Sequence, residues 1–135
     1  MIHERLLTDC SVVGRFDLCH LLLMDDASYP WCILVPDREG IEEIYQLDEN
    51  DQRQLLTESS HLGQAMMQLF SGDKLNIAAL GNVVSQLHIH HIVRYRHDPA
   101  WPAPVWGHRP PASYDAAVLS KTIERLRAGL ADYLC

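Results

Sequence analysis

The stretch that most constrains this chain is Gln86-Leu87-His88-Ile89-His90-His91-Ile92-Val93-Arg94. Leu87, Ile89 and Val93 alternate with polar residues, and β-branched residues are frequent, which predicts a β-strand. The strand is read as running from Val83 to Tyr95. Side chains along a strand repeat every second position. Gln86, His88, His90 and Arg94 therefore share one face, and Leu87, Ile89 and Val93 share the other. One face can pack on a core while its opposite presents two imidazoles, an amide and a guanidinium to a ligand. His91 is out of phase and is expected to be a semi-buried structural histidine.

The rest of the chain supplies partners for that strand. Residues 3–9 can form a helical turn with Leu6 and Leu7 inward, and Gly14 suggests a turn. Phe16 to Met24 reads as a strand, Asp25 to Pro30 as turn chemistry, and Trp31 to Val35 as an apolar strand that Pro36 stops. Together they suggest an antiparallel hairpin. Ile41, Ile44, Tyr45 and Leu47 have the spacing of a short helix. Asp48 is an N-cap candidate for a long helix to Phe70, with Leu55, Ser59, Leu62, Met66 and Leu69 on one face. Leu75 to Leu80 reads as a strand ahead of the link Gly81-Asn82. Residues 98–107 hold three prolines and two tryptophans, which suit an extended cover, a lid or a dimer contact rather than a helix. A last helix is expected over 114–133. The order β-β-α-β-β-α with mostly antiparallel strands implies an α+β fold, one sheet with helices on one face.

At 135 residues the chain suits one domain, and its hydrophobic content of 47% can fill a core. A net charge of −7 with scattered Lys and Arg argues against a nucleic-acid partner. The four cysteines form no C-x-x-C pair and read as free thiols of a reducing compartment. No apolar run approaches the ~20 residues of a membrane helix. A cytoplasmic location with no membrane partner is expected.

Taken together, these residues resemble the histidine-triad (HIT) superfamily of nucleotide hydrolases and transferases. The signature there is His-φ-His-φ-His-φ-φ on a strand, φ being apolar, after a Gly-polar-φ-φ lead-in and often before an Arg. Here the lead-in is Gly81-Asn82-Val83-Val84-Ser85 and the triad positions fall on Gln86, His88 and His90, with Arg94 trailing. Glutamine thus replaces the first histidine. Leu21 to Asp26 with Tyr29 to Pro36, Lys74 to Asn82, and Asp98 to Gly107 look like a bacterial subgroup that also carries Gln-φ-His-φ-His. The likeness covers residues 10–107. It implies a sheet of about five mostly antiparallel strands, a long helix packed on one face, a C-terminal helix and a homodimer. A register with His88 and His90 as the first two triad members would put Ile92 third. That disagrees with the lead-in and with Arg94.

The resemblance also implies a chemistry: transfer at the α-phosphate of a nucleotide conjugate through a covalent intermediate, with His88 as nucleophile. A neutral imidazole holds one protonated nitrogen and one free lone pair. If a backbone carbonyl holds Nδ1–H, Nε2 is free to attack phosphorus. In the family the first triad residue supplies that carbonyl, here Gln86, so its side-chain type is not decisive. His90 is expected to assist the leaving group as hydrogen-bond donor or general acid. Asn82 matches a phosphate-binding position and also suits a turn. Asp25 matches a position near the ribose and also suits a solvated turn. Arg94 can pair with phosphate or with a neighbouring carboxylate. No cofactor is expected. Two readings compete: a nucleotide-binding module without turnover, motivated by Gln86, and a metal-dependent hydrolase using His88 and His90, since histidines at i and i+2 can share a zinc. No Cys and no obvious third ligand lies nearby in sequence.

Overall fold

The computed structural model describes residues 1–135. The elements are α1 (Glu4–Asp9), β1 (Cys10–Arg15), β2 (Cys19–Met24), β3 (Trp31–Pro36), a 3-10 turn (Ile44–Gln46), α2 (Glu49–Phe70), β4 (Lys74–Ala78), β5 (Ile89–Arg94) and α3 (Ala116–Gly129). The five strands form one sheet in the order β1-β2-β3-β5-β4, and every neighbouring pair is antiparallel. This is the α+β architecture expected of a HIT-like chain.

Residue chemistry accounts for the borders of α2. Asp48 stands in extended conformation before it, and its Oδ1 accepts the Asp51 N–H at 2.8 Å. Glu49 and Asp51 add negative charge at the N-terminal end of the helix dipole. At the other end Ser71 takes the left-handed conformation, φ 50°. Glycine is needed one residue later for space: a Cβ on Gly72 would lie 2.4 Å from Cγ1 of Val93. Helix and β5 therefore approach closely at that end.

The sheet separates two apolar layers. On one face Leu21, Leu23, Cys32, Leu34, Ile89 and Val93 pack against Leu55, Leu62 and Met66 of α2 and against Leu126 and Leu130 at the end of α3. On the other, Leu22, Trp31, Ile33, Val35 and Ile92 lie beneath Leu6, Tyr29, Val84, Ala100 and Val105. Burial of each such Leu, Ile or Val contributes about 1.5–3 kcal/mol. The long helix and the C-terminal helix thus cover one face. The Pro- and Trp-rich segment and α1 cover the other, which carries His88 and His90.

Several sequence expectations need correction. Leu7 is exposed rather than inward, and the last helix, expected over 114–133, spans Ala116–Gly129, with residues 130–133 in turn. Cys10–Arg15 is a strand, and Gly14 is no turn but the irregularity in its pairing with β2, where the register shifts between Val12 and Gly14. The strand expected over Phe16–Met24 begins at Cys19. The helix after Gly40 is only the 3-10 turn Ile44–Gln46. The long strand expected over Val83–Tyr95 shrinks to Ile89–Arg94 because its partners run out: β3 pairs with it only as far as Leu34↔Ile89, and β4 only as far as Ala78↔His90. Beyond Leu34, Pro36 has no N–H to extend a ladder. Residues 81–88 are therefore loop, tied down where the Leu87 N–H donates to the Ile41 carbonyl at 2.9 Å.

Candidate active site

His88 lies one residue before β5, at the end of the sheet where the loop from β4 returns. Gln86 sits in a bend, and its backbone carbonyl is 2.7 Å from Nδ1 of His88. A carbonyl only accepts, so Nδ1 carries a proton, and in the neutral ring Nε2 keeps its lone pair. The ring lines a cleft of about 230 Å³ together with Asn82, Ser85, Gln86, Glu42 and Glu43. The loop can close this tightly because residue 81 is glycine: a Cβ there would lie 2.9 Å from the Val84 carbonyl oxygen and 3.8 Å from Cε1 of His88.

The Gln86 side chain points away from this chemistry. Its Oε1 accepts the His3 N–H and its Nε2 donates to the Met1 carbonyl, each at 2.8 Å. Both bonds fasten the N-terminal segment beside the cleft. Met1, His3, Arg38, Glu42, Ser85 and Gln86 are among the residues lining an adjoining groove of about 890 Å³.

His90 is buried behind His88, their ring centroids 4.9 Å apart. The Trp31 indole N–H donates to its Nδ1 at 3.0 Å, and its Nε2 stands 3.4 Å from the Leu80 carbonyl. Trp106 packs edge-on against it, centroids 5.1 Å apart. Burial, reinforced by the neighbouring His88, pushes the His90 imidazole down to about 4. That favours the neutral ring, which can donate one hydrogen bond. His91 faces α2, fully buried, with Ser59 Oγ at 2.7 Å from Nε2 and the Ile89 carbonyl at 3.1 Å from Nδ1.

Two expected substrate contacts are not brought to the histidines. Arg94 is 1% exposed, and its guanidinium donates twice to Asp98, at 2.8 and 3.0 Å, and once each to Asn76 Oδ1 and the Ala103 carbonyl. With these donors committed inside the protein, it pins the cover segment rather than meeting phosphate. Asp98 completes the knot by accepting the N–H groups of Tyr95, Ala100 and Trp101. Burial alone would raise its carboxyl, but the hydrogen bonds from Arg94, Tyr95 and Trp101 and the Arg94 charge hold it down at about 2. Asp25 follows Met24 at the far end of β2, and its Oδ1 accepts the Tyr114 N–H at 2.9 Å. Tyr114 packs on the α2 side of the sheet, so Asp25 sits on the wrong face for a ribose beside His88.

Other residues at the site carried no legible signal. Trp31 reads in sequence as one more apolar residue of a buried strand. Only the register Trp31↔Ile92 and Ile33↔His90 makes it the diagonal neighbour of His90. Glu42 and Glu43 come from a distant loop. Ser85 stands within the lead-in motif, and its place in the cleft depends on the loop's fold. No group of three or more His, Cys, Asp and Glu side chains converges in a metal-binding arrangement. No helix is long and apolar enough to cross a membrane.

The HIT domain family model matches residues 6–97. Among solved structures, a histidine triad protein from Marinobacter aquaeolei VT8 is 51% identical, covers 98% of this chain and 97% of its own, and superposes with a TM-score of 0.96. One from Bradyrhizobium japonicum is 46% identical over 96% of both chains, TM-score 0.94. One from Sinorhizobium meliloti 1021 is 37% identical over 96% of both chains, TM-score 0.94. No curated protein matches significantly. The glycine-led loop, the paired histidines and these likenesses over nearly the whole length agree: the chain belongs to the HIT domain family.

Proposed function

We propose that this protein is a nucleotide-conjugate hydrolase or nucleotidyl transferase that works at an α-phosphate through a covalent nucleotidyl-histidine on His88. One observation carries the reading: the 2.7 Å bond from Nδ1 to the Gln86 backbone carbonyl, which leaves the Nε2 lone pair for the cleft. Membership in the family supports a nucleotide-binding or hydrolase-type function in general. In the first step Nε2 bonds to phosphorus as the bond to the leaving group breaks, its electron pair going to that group. In the second, the bond from phosphorus to Nε2 breaks with its electron pair returning to Nε2, as water takes the group to give the nucleoside monophosphate or another acceptor takes it to give a new conjugate. Asn82, exposed and without a side-chain partner in the protein, is assigned to phosphate, and His90 to the departing oxygen or nitrogen. Nucleoside phosphoramidates and dinucleoside polyphosphates are the candidate substrates.

The test is intact-protein mass after brief mixing with a panel of adenosine and guanosine conjugates of both kinds. A transient gain of one nucleoside monophosphate in wild type, absent in His88→Ala, supports the reading. Nucleotide binding without adduct or product would favour a binding module. Turnover abolished by chelator and restored by zinc would favour a metal-dependent hydrolase.

A homodimer belongs to the same proposal. β4 is an edge strand, and beside it Ile44, Leu55, Leu56, Ile77 and Ile89 line an apolar groove of about 610 Å³. Ile44, Leu56 and Ile77 are each at least two-fifths exposed, and Leu80 and Val83 extend the patch along the loop. An unpaired edge flanked by apolar side chains suits strand-to-strand pairing with a second copy.

A further inference from the structure

We infer that Trp31 is a positioning residue for His90: its indole N–H fixes the imidazole as the Nε2–H tautomer, so that His90 offers a substrate a hydrogen bond rather than a proton. The consequence for catalysis rests on the proposed reaction; the tautomer does not.

A tryptophan indole donates and cannot accept. Trp31 Nε1 stands 3.0 Å from His90 Nδ1, with both side chains buried. A donor aimed at Nδ1 requires a lone pair there, and in a neutral ring the proton then sits on Nε2. A hydroxyl, an amide or a water in this position could turn and admit either tautomer, and an indole cannot.

The ring is also held in place. Trp31 and Trp106 meet it edge-on at centroid distances of 5.7 and 5.1 Å, and His88 at 4.9 Å. The outward Nε2–H has one partner in the protein, the Leu80 carbonyl at 3.4 Å, which is at the long limit of a hydrogen bond. That weak bond is exchanged for a substrate oxygen at small cost. Protonating the ring would place an Nδ1–H against the indole N–H, two donors face to face in a buried site.

Nothing nearby offsets this. The titratable groups near the ring are His88 on the same face and His91 behind the strand. β4 places Ala78 opposite, β3 places Ile33 opposite with Trp31 beside it, and the cover contributes Trp106. No carboxylate bonds to the imidazole. In the proposed reaction the proton taken up by the leaving group then comes from solvent, and the rate carries no limb from His90 between pH 5 and 8.

Long-range 1H–15N correlation spectra of the imidazoles, recorded from pH 4.5 to 8.5, test the assignment directly. Wild type should show His90 with Nε2 protonated and Nδ1 bare throughout, without titration above about pH 5. Trp31→Phe should give mixed tautomers and an apparent His90 pKa higher by about one unit, the worth of a lost hydrogen bond to the neutral form. Trp106→Phe, which removes packing and no bond to Nδ1, should keep the wild-type tautomer. A proton on Nδ1 in wild type, an imidazolium at pH 6, an unchanged ring in Trp31→Phe, or the same loss in Trp106→Phe would each overturn the inference. If Trp31→Phe does not fold, the wild-type protein still tests the bond itself, through the 15N–15N coupling between Trp31 Nε1 and His90 Nδ1 across the hydrogen bond; its absence would overturn the inference. None of these spectra reads turnover, so an inactive protein would sink the proposed reaction without touching this assignment.

Discussion

Replacing Asp98 with Asn tests whether the Arg94–Asp98 pair is what holds the cover over the histidines. The side chains are 1% and 2% exposed, and the carboxylate accepts two N–H groups of Arg94 and three of the backbone. Removing one partner of a buried pair costs about 3–5 kcal/mol, because the other charge stays buried and uncompensated. A second figure comes from protonation. The folded carboxyl sits at about 2, below its ordinary 3.8. A depressed carboxylate contributes stability that is fully present above the unfolded pKa and lost as pH falls through the folded one. The shift is worth about 2.5 kcal/mol, and it disappears between roughly pH 4 and 2. The two figures differ because linkage counts only the charge-dependent part, while the amide also disturbs the geometry. Urea unfolding should place the Asp98→Asn midpoint about 2 M below wild type at pH 7. The gap should narrow by about 2 kcal/mol from pH 5 to pH 2 as the wild-type carboxylate is protonated. A cost under about 1 kcal/mol at pH 7, or a gap indifferent to pH over that range, would refute the argument that this pair is a buried, charge-dependent clamp.

Gln86→Ala keeps the backbone carbonyl that orients His88 and loses only the tether to Met1 and His3. Nucleotidyl transfer to His88, followed as adduct mass against time, should stay within about ten-fold of wild type, the worth of about 1.4 kcal/mol of positioning; a loss as deep as that of His88→Ala would give the amide a chemical role. If the proposed homodimer pairs through β4, Ile77→Lys, which puts a charge on the exposed edge, should give monomers by light scattering and the unchanged chain dimers; the same mass for both would refute pairing through this edge.

The parts of this fold that follow from local chemistry were legible in advance. Asp48 at the start of α2 and the 3–4 spacing of Leu55, Ser59, Leu62 and Met66 depend on neighbours along one helix. The alternation from His88 to Arg94 does too, since a strand divides its side chains between two faces whatever lies across from it. β1 was less legible: Cys10 to Arg15 is short, carries a glycine, and takes its structure from pairing with β2.

Sequence by itself determined which side chains share a face, where the long helix begins, and that two histidines stand at the positions the HIT pattern reserves for chemistry. The tertiary structure alone decided what each of those side chains touches. Arg94 meets Asp98 and Ala103 because the cover folds back over β5, and Asp25 meets Tyr114 because the segment before α3 passes on the other face. Trp31 reaches His90 because two strands pair in one register. Periodicity is a property of one element and can be read along it. A hydrogen bond between residues 59 apart depends on how two elements are placed, and that placement is set by the packing of the whole sheet.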